Sequence, residues 1–97
     1  MEVITLVTGR IEAGRFRDLE ESYREVVAAG LPPILAETFL LRTGDDQAGI
    51  LSVWHRRADL EAMLASDEEP VARRLIRAAG GDPQVQIFDI SVHGARD

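Results

Sequence analysis

The pattern of hydrophobic and polar positions divides this chain of 97 residues into strands and helices. Residues 3–7 (VITLV), 34–42 (ILAETFLLR), 49–54 (GILSVW) and 85–92 (VQIFDISV) are rich in β-branched and apolar residues, which favours strands. Between the first two strands, apolar residues recur at steps of three and four over residues 15–29. This spacing predicts a helix with one buried stripe.

The stretch after the third strand predicts two helical pieces rather than one. Apolar residues recur at helical spacing over residues 57–65 and again over residues 71–79. The residues between them fit a capping box, formed by Ser66 and Glu69, or a helix that starts at Glu69 with Pro70 at its first position. The sequence leaves both alternatives open.

The order β, α, β, β, α, β predicts an α+β, ferredoxin-like domain over residues 1–97, with an antiparallel sheet and its helices on one face. Right-handed crossovers would place the first and third strands side by side and parallel. The opposite face of the sheet would then be uncovered. A face in contact with water should show alternating apolar and polar residues along each strand, but VITLV, FLL and ILSVW do not alternate in this way. The same face of a second copy could cover it, because two-fold symmetry makes one patch complementary to itself. A homodimer that forms through the sheet is therefore expected.

Composition and charge exclude several kinds of chemistry. The net charge of −6 disfavours nucleic acid and anionic membrane as partners, because both are bound by clustered cations. The chain has no Cys, Lys or Asn, which excludes a thiolate nucleophile, a lysine Schiff base and a P-loop. No apolar run is long enough to span a membrane, and no secretion-signal pattern opens the chain, so a cytoplasmic protein is expected.

Candidate catalytic groups are few. Tyr23 lies on the apolar stripe of the first helix and Trp54 ends the third strand, where either side chain could line a cavity or belong to the core. His55 is the default base, since a histidine titrates near pH 6.5, but neighbouring strand residues face opposite ways. Glu37 and Asp89 are acids within strands, which suits a perturbed base or, more ordinarily, an edge position or an arginine pair.

The second histidine is His93, beyond the last strand. The third and last strands are expected to run in opposite directions, which would put His55 and His93 at opposite ends of the sheet. Two histidines and no cysteine make a zinc site unexpected. Phe16, Phe39 and Met63 are interpreted as core or pocket lining.

A local motif adds a family resemblance. It consists of the strand end Val53-Trp54, a helix opening with Ala58, Leu60, Met63 and Leu64, and the step Ala65-Ser66-Asp67. With the element order, this motif resembles the dimeric α/β barrel superfamily, and within it the antibiotic biosynthesis monooxygenase-like proteins. The resemblance implies a pocket between sheet and helices in each subunit. Members of that superfamily oxidise phenols or quinols without a bound cofactor, degrade haem, isomerise lactones, or have no assigned activity, so the resemblance implies one of these.

The resemblance argues against haem degradation. Haem-degrading members use an asparagine, a tryptophan and a histidine at places where this chain has Val7, Met63 and Arg73. The family's usual serine two residues after the strand-end tryptophan is Arg56 here, which removes a helix cap without bearing on chemistry.

The leading hypothesis is a cofactor-independent monooxygenase, without metal, acting on a small apolar aromatic or quinol substrate. Its catalytic candidates are His55 and Tyr23. Its substrate-binding candidates are Phe16, Tyr23, Phe39, Trp54 and Met63. The alternatives are a non-catalytic homodimer that binds a small molecule or is purely structural, and an isomerase of the lactone type, which requires an acid or base facing the cavity.

Overall fold

Seven elements follow one another in the computed structural model, which describes residues 1–96. They are β1 (Val3–Arg10), α1 (Phe16–Ala28), β2 (Leu35–Thr43), β3 (Gln47–Trp54), α2 (Arg57–Ala65), α3 (Val71–Ala78) and β4 (Gln84–Asp89). The predicted ferredoxin-like order and the two helical pieces after the third strand are confirmed. The last strand ends at Asp89, three residues earlier than the sequence pattern indicates.

The four strands form one sheet in the order β2-β3-β1-β4, and every neighbouring pair is antiparallel. The prediction that β1 and β3 run parallel is therefore wrong. The crossover through α1 makes β1 parallel to β2, but the β2–β3 hairpin then reverses the chain before it returns to lie beside β1. Parallel strands are thus separated by one antiparallel strand.

The same topology corrects the placement of the two histidines. Val3 of β1 pairs with Trp54 of β3 on one side and with Asp89 of β4 on the other. Since β3 and β4 are both antiparallel to β1, they end at the same edge of the sheet. His55 and His93 follow these strand ends, so the prediction of opposite ends is wrong.

The inner face of the sheet packs against the helices and carries the core. One buried cluster joins Val7 and Ile50 of the sheet to Leu19 of α1 and Ile76 of α3. Ile76 packs closely on Gly9, where an added Cβ would lie only 2.5 Å from the Ile76 Cγ2 atom. A glycine at this point of β1 therefore lets α3 approach the sheet.

A second buried cluster lies at the other end of the inner face. It joins Val3 and Trp54 to Leu60 of α2, with Leu35 and Met63 packed against it. These two clusters leave the centre of the inner face between them, where the strands carry hydroxyl side chains.

The outer face of the sheet has no covering element among residues 1–96. We use this name for Ile4, Leu6, Phe39, Leu41, Leu51, Val53 and Phe88, which the strand register places on that side. Phe39, Leu41 and Phe88 expose 45%, 42% and 49% of their surface. Exposed apolar side chains grouped on one face are typical of an interaction surface.

Both expectations for the junction between α2 and α3 are wrong. Ser66 is the residue that ends α2 rather than one that begins a helix, and its extended backbone makes it a C-cap. Pro70 precedes α3 in an extended conformation, and the helix begins at Val71. A residue with a fixed φ and no N–H suits this position, because the first N–H groups of a helix have no intrahelical partner.

Within residues 1–96 no helix has the length and apolar character needed to cross a membrane.

Candidate active site

A cavity of about 180 Å³ lies between the inner face of the sheet and the helices. All four strands and all three helices contribute to its wall, together with the loop that follows α1. Most of the lining is apolar, from side chains that include Val26, Leu31, Ile34, Leu35, Ile50, Met63, Leu75 and Val85. A largely apolar cavity of about this size accepts a single aromatic ring.

A row of hydroxyl side chains crosses the floor of this cavity. Ser52 of β3 pairs with Thr38 of β2 on one side and with Thr5 of β1 on the other, so the three side chains lie side by side on the inner face. We call Thr5, Ser52 and Thr38 the hydroxyl row. Thr38 Oγ1 and Ser52 Oγ are 3.4 Å apart, within hydrogen-bond reach.

An aromatic side chain is hydrogen-bonded to each end of the hydroxyl row. The Tyr23 hydroxyl of α1 lies 2.5 Å from Thr38 Oγ1, and either atom can donate. The Trp54 indole Nε1–H donates to Thr5 Oγ1 at 3.0 Å. Because Thr5 accepts this bond, its own O–H remains able to donate, so the row offers polar hydrogens to a ligand oxygen in an otherwise apolar cavity.

Partial burial makes the Tyr23 hydroxyl harder to ionise. Desolvation raises the pKa of the Tyr23 phenol above its ordinary value of 10.0, and the hydrogen bond with Thr38 offsets part of that rise. The side chain therefore stays protonated at neutral pH. It acts there as a hydrogen-bond donor or acceptor and not as a base.

The raised pKa predicts a loss of stability at alkaline pH. The folded protein holds the Tyr23 proton more tightly than the unfolded chain, so the contribution is complete below pH 10 and is lost as pH rises through the folded pKa. We expect the free energy of unfolding, measured in urea, to fall more between pH 8 and pH 11 for the native sequence than for Tyr23→Phe. An equal fall in both proteins would contradict this.

This pH window suits the measurement because the chain has no lysine, whose amines would otherwise titrate there. Tyr23 is also the only tyrosine, so the tyrosinate absorbance band reports its ionisation alone.

The structure brings together three of the nominated binding residues and separates the other two from them. Tyr23, Trp54 and Met63 all line the cavity. Phe16 instead packs beneath Arg42, whose guanidinium carbon lies 4.5 Å from the ring centroid. Phe39 lies on the outer face, on the opposite side of the sheet from the cavity.

The titratable candidates from the strands lie outside the cavity wall. His55 is exposed, and its backbone N–H donates to the Ile34 carbonyl at 3.0 Å. Glu37 is exposed next to a bulge in β2. Asp89 forms an ion pair with Arg57, which is the more ordinary of the two roles expected for this acid. Within residues 1–96, no three His, Asp or Glu side chains cluster as metal ligands would.

The hydroxyl row was not among the candidates predicted from the sequence, although the sequence contains a signal for it. The β2–β3 hairpin places Thr43 opposite Gln47, and counting five residues back along β2 and forward along β3 brings Thr38 opposite Ser52. Small hydroxyl residues at inward positions of apolar strands are unusual enough to mark a polar feature within a core. The third member, Thr5, could be recognised only from the antiparallel register of β1 and β3, whereas the sequence predicted these strands to be parallel.

The cavity does not fit haem. Val7, Met63 and Arg73, which stand near the places of the haem degraders' functional residues, all line it. None is a histidine that could bind iron, and neither His55 nor His93 is part of the wall.

Comparisons with known proteins establish the fold. No protein-family model matches the chain, and no curated protein matches it in sequence. Among solved structures, a protein of unknown function from Nitrosomonas europaea is similar with a TM-score of 0.73 and 15% identity, over 99% of this chain and 95% of that one. SnoaB from Streptomyces nogalater, a cofactor-independent oxygenase, is similar with a TM-score of 0.66 and 19% identity, over 99% of this chain and 94% of that one.

A third similar structure is MhuD from Mycobacterium tuberculosis, a haem degrader with two haems bound in its active site. Its TM-score is 0.67 and its identity 16%, over 96% of this chain and 99% of that one. The fold of this chain is thus that of the antibiotic biosynthesis monooxygenase-like proteins, as the sequence resemblance implied. At identities this low, the structural similarity establishes the fold alone, and each activity is that of the protein named.

Proposed function

We propose that this protein is a cofactor-independent oxygenase whose substrate is a small phenol or quinol held in the inner cavity. The observation that carries the proposal is an open, largely apolar cavity with the hydroxyl row across its floor. The apolar wall suits an aromatic ring, and the row suits the ring's oxygen. The oxygenase activity of SnoaB, a protein with this fold, adds support by analogy.

The substrate itself would supply the electrons that reduce dioxygen, because an ionised phenol or quinol is electron-rich. Among the described lining residues no carboxylate or imidazole offers a base, and Tyr23 stays protonated. The proposal therefore requires a substrate that ionises readily once bound. It gives no role to His55, and it gives Tyr23 the role of a hydrogen-bond partner that orients the substrate oxygen.

A second candidate is a protein that binds such a molecule without converting it. The protonated Tyr23 and the lack of a base in the described cavity wall favour this alternative. The described cavity wall likewise offers a lactone-type isomerase no carboxylate or imidazole, and the protonated Tyr23 is the group that could serve it as an acid.

Oxygen uptake with a panel of phenols and quinols separates the two candidates. We expect turnover by the native protein and a kcat/KM three- to tenfold lower for Ser52→Ala, because one hydrogen bond contributes about 1 kcal/mol. Ser91→Ala, at an exposed position beyond β4, is the matched control and should not change kcat/KM.

Trp54 fluorescence gives the complementary readout. It is the only tryptophan and it lines the cavity, so bound aromatic ligands should alter its emission. Saturable quenching without any oxygen uptake would contradict the oxygenase proposal and favour the binding protein.

We also propose that two copies associate through the outer face. The proposal rests on the grouping of exposed phenylalanine and leucine side chains there, with no described element of the chain above them. Two-fold symmetry makes one apolar face complementary to its copy. The cavity lies on the other side of the sheet, so a dimer of this kind leaves its wall intact.

A further inference from the structure

Arg73 differs from the other arginines of the chain. It lies on α3, it is half-buried, and it is part of the cavity wall. Within residues 1–96, seven other arginines form ion pairs with carboxylates. Arg73 forms none, and it differs from Arg17 and Arg74, which also form none, because those two are exposed. Arg15, the other half-buried arginine, pairs with both Glu12 and Asp18.

The carboxylate best placed along the chain to pair with Arg73 is engaged elsewhere. Glu69 precedes Arg73 by four residues, but its Oε1 accepts a hydrogen bond at 3.0 Å from Nε of Arg77, one turn further along α3. Arg73 therefore lies in the wall of a largely apolar cavity without a described carboxylate partner. A partly buried charge without a partner is costly, and the cost is recovered when an anion binds.

We infer that the ligand of this cavity is an aromatic molecule with an anionic oxygen, a carboxylate or a phenolate, and that Arg73 binds that oxygen. The inference rests on the proposed function in that it uses the same cavity. Guanidinium suits this role because it presents several N–H donors in a plane and keeps its charge at any physiological pH. With Arg73 on the helix side and the hydroxyl row on the sheet side, the cavity has polar groups at two walls and apolar surface between them.

Equilibrium binding tests the inference without any need for turnover. Quenching of Trp54 fluorescence is measured with 4-nitrobenzoate and with 4-nitrobenzyl alcohol, which share a ring and differ in charge. We expect the native protein to bind the carboxylate at least about tenfold more tightly, the ratio that a charge-assisted hydrogen bond provides. Arg73→Met should lose this preference while its affinity for the alcohol stays the same.

The matched control is Arg74→Met, which removes the same charge one residue along α3. Arg74 is exposed and is not part of the cavity wall. We expect it to keep the tenfold preference. An equal loss of preference in the two variants would overturn the inference, because the effect would then come from the overall field of the protein.

The phenolate is tested with 4-nitrophenol at a pH below its own pKa. Binding to the native protein should increase the yellow phenolate absorbance, and Arg73→Met should abolish the increase. Preference for 4-nitrobenzoate without this change would assign the site to carboxylates. Binding of 4-nitrobenzyl alcohol with no preference for either anion would overturn the role of Arg73 and leave the proposed oxygenase standing.

Discussion

Phe39→Asp is expected to convert the proposed dimer into a monomer. Phe39 lies near the centre of β2 on the outer face, where it exposes 45% of its surface in the single chain. In a two-fold interface the substitution buries two carboxylates in an apolar surface, each at a cost of several kcal/mol. The dissociation constant should rise at least about a thousandfold, since every 1.4 kcal/mol is a factor of ten. Sedimentation velocity at micromolar concentration should show a species of 10.7 kDa.

Val27→Asp provides the matched control for this experiment. Val27 exposes 44% of its surface, almost the same as Phe39, but it lies on α1, away from the outer face. This variant should remain dimeric. A native protein that is already monomeric at micromolar concentration, or a Phe39→Asp variant that stays dimeric, would contradict the proposed interface.

Ala72→Phe is expected to abolish binding of aromatic ligands and any oxygen uptake that depends on it. Ala72 lies at the start of α3 and forms part of the cavity wall. An additional ring would occupy much of a space of about 180 Å³ that is suited to one ring. Trp54 fluorescence should then show affinity for aromatic ligands reduced more than tenfold, the effect expected when a ligand is excluded sterically rather than deprived of one hydrogen bond.

Ala62→Phe is the corresponding control, because it adds the same ring at an exposed position of α2. Circular dichroism and thermal unfolding should show that both variants are folded, since overpacking of a site with free space is milder than overpacking of a filled core. Unchanged ligand affinity in Ala72→Phe would show that aromatic molecules bind elsewhere on the protein.

Periodicity predicted most of the fold because it depends on local patterns. The stripe on α1 and the apolar runs of β1 and β3 define their elements within one to three residues. Strand direction is different, since it depends on which strands become neighbours. The error in the β1–β3 direction therefore carried over into the expected positions of His55 and His93.

Three of the binding residues nominated from the sequence, Tyr23, Trp54 and Met63, lie in the cavity wall. Tyr23 became a candidate from its place on the apolar stripe of α1, and Trp54 from its place at the end of β3. Ser52 was not predicted as a site residue, because a serine in a strand has many ordinary explanations. Its role appears only when three strands are aligned side by side, which is information about register rather than about any one segment. Arg73 likewise becomes distinctive only when the partners of the other arginines are known.

Adjacent residues of β2 have different roles, since Thr38 belongs to the hydroxyl row and Phe39 to the outer face, and the strand contains a bulge before them. Leu35 lies opposite Trp54 and Glu37 opposite Val53, so Ala36 is an additional residue in the ladder. A chain without Ala36 would keep Leu35 opposite Trp54, Thr38 in the hydroxyl row and Phe39 on the outer face. A residue lost between Thr38 and the hairpin would instead exchange the two faces of the strand. Length variation during evolution would therefore be tolerated at Ala36 and selected against elsewhere in β2.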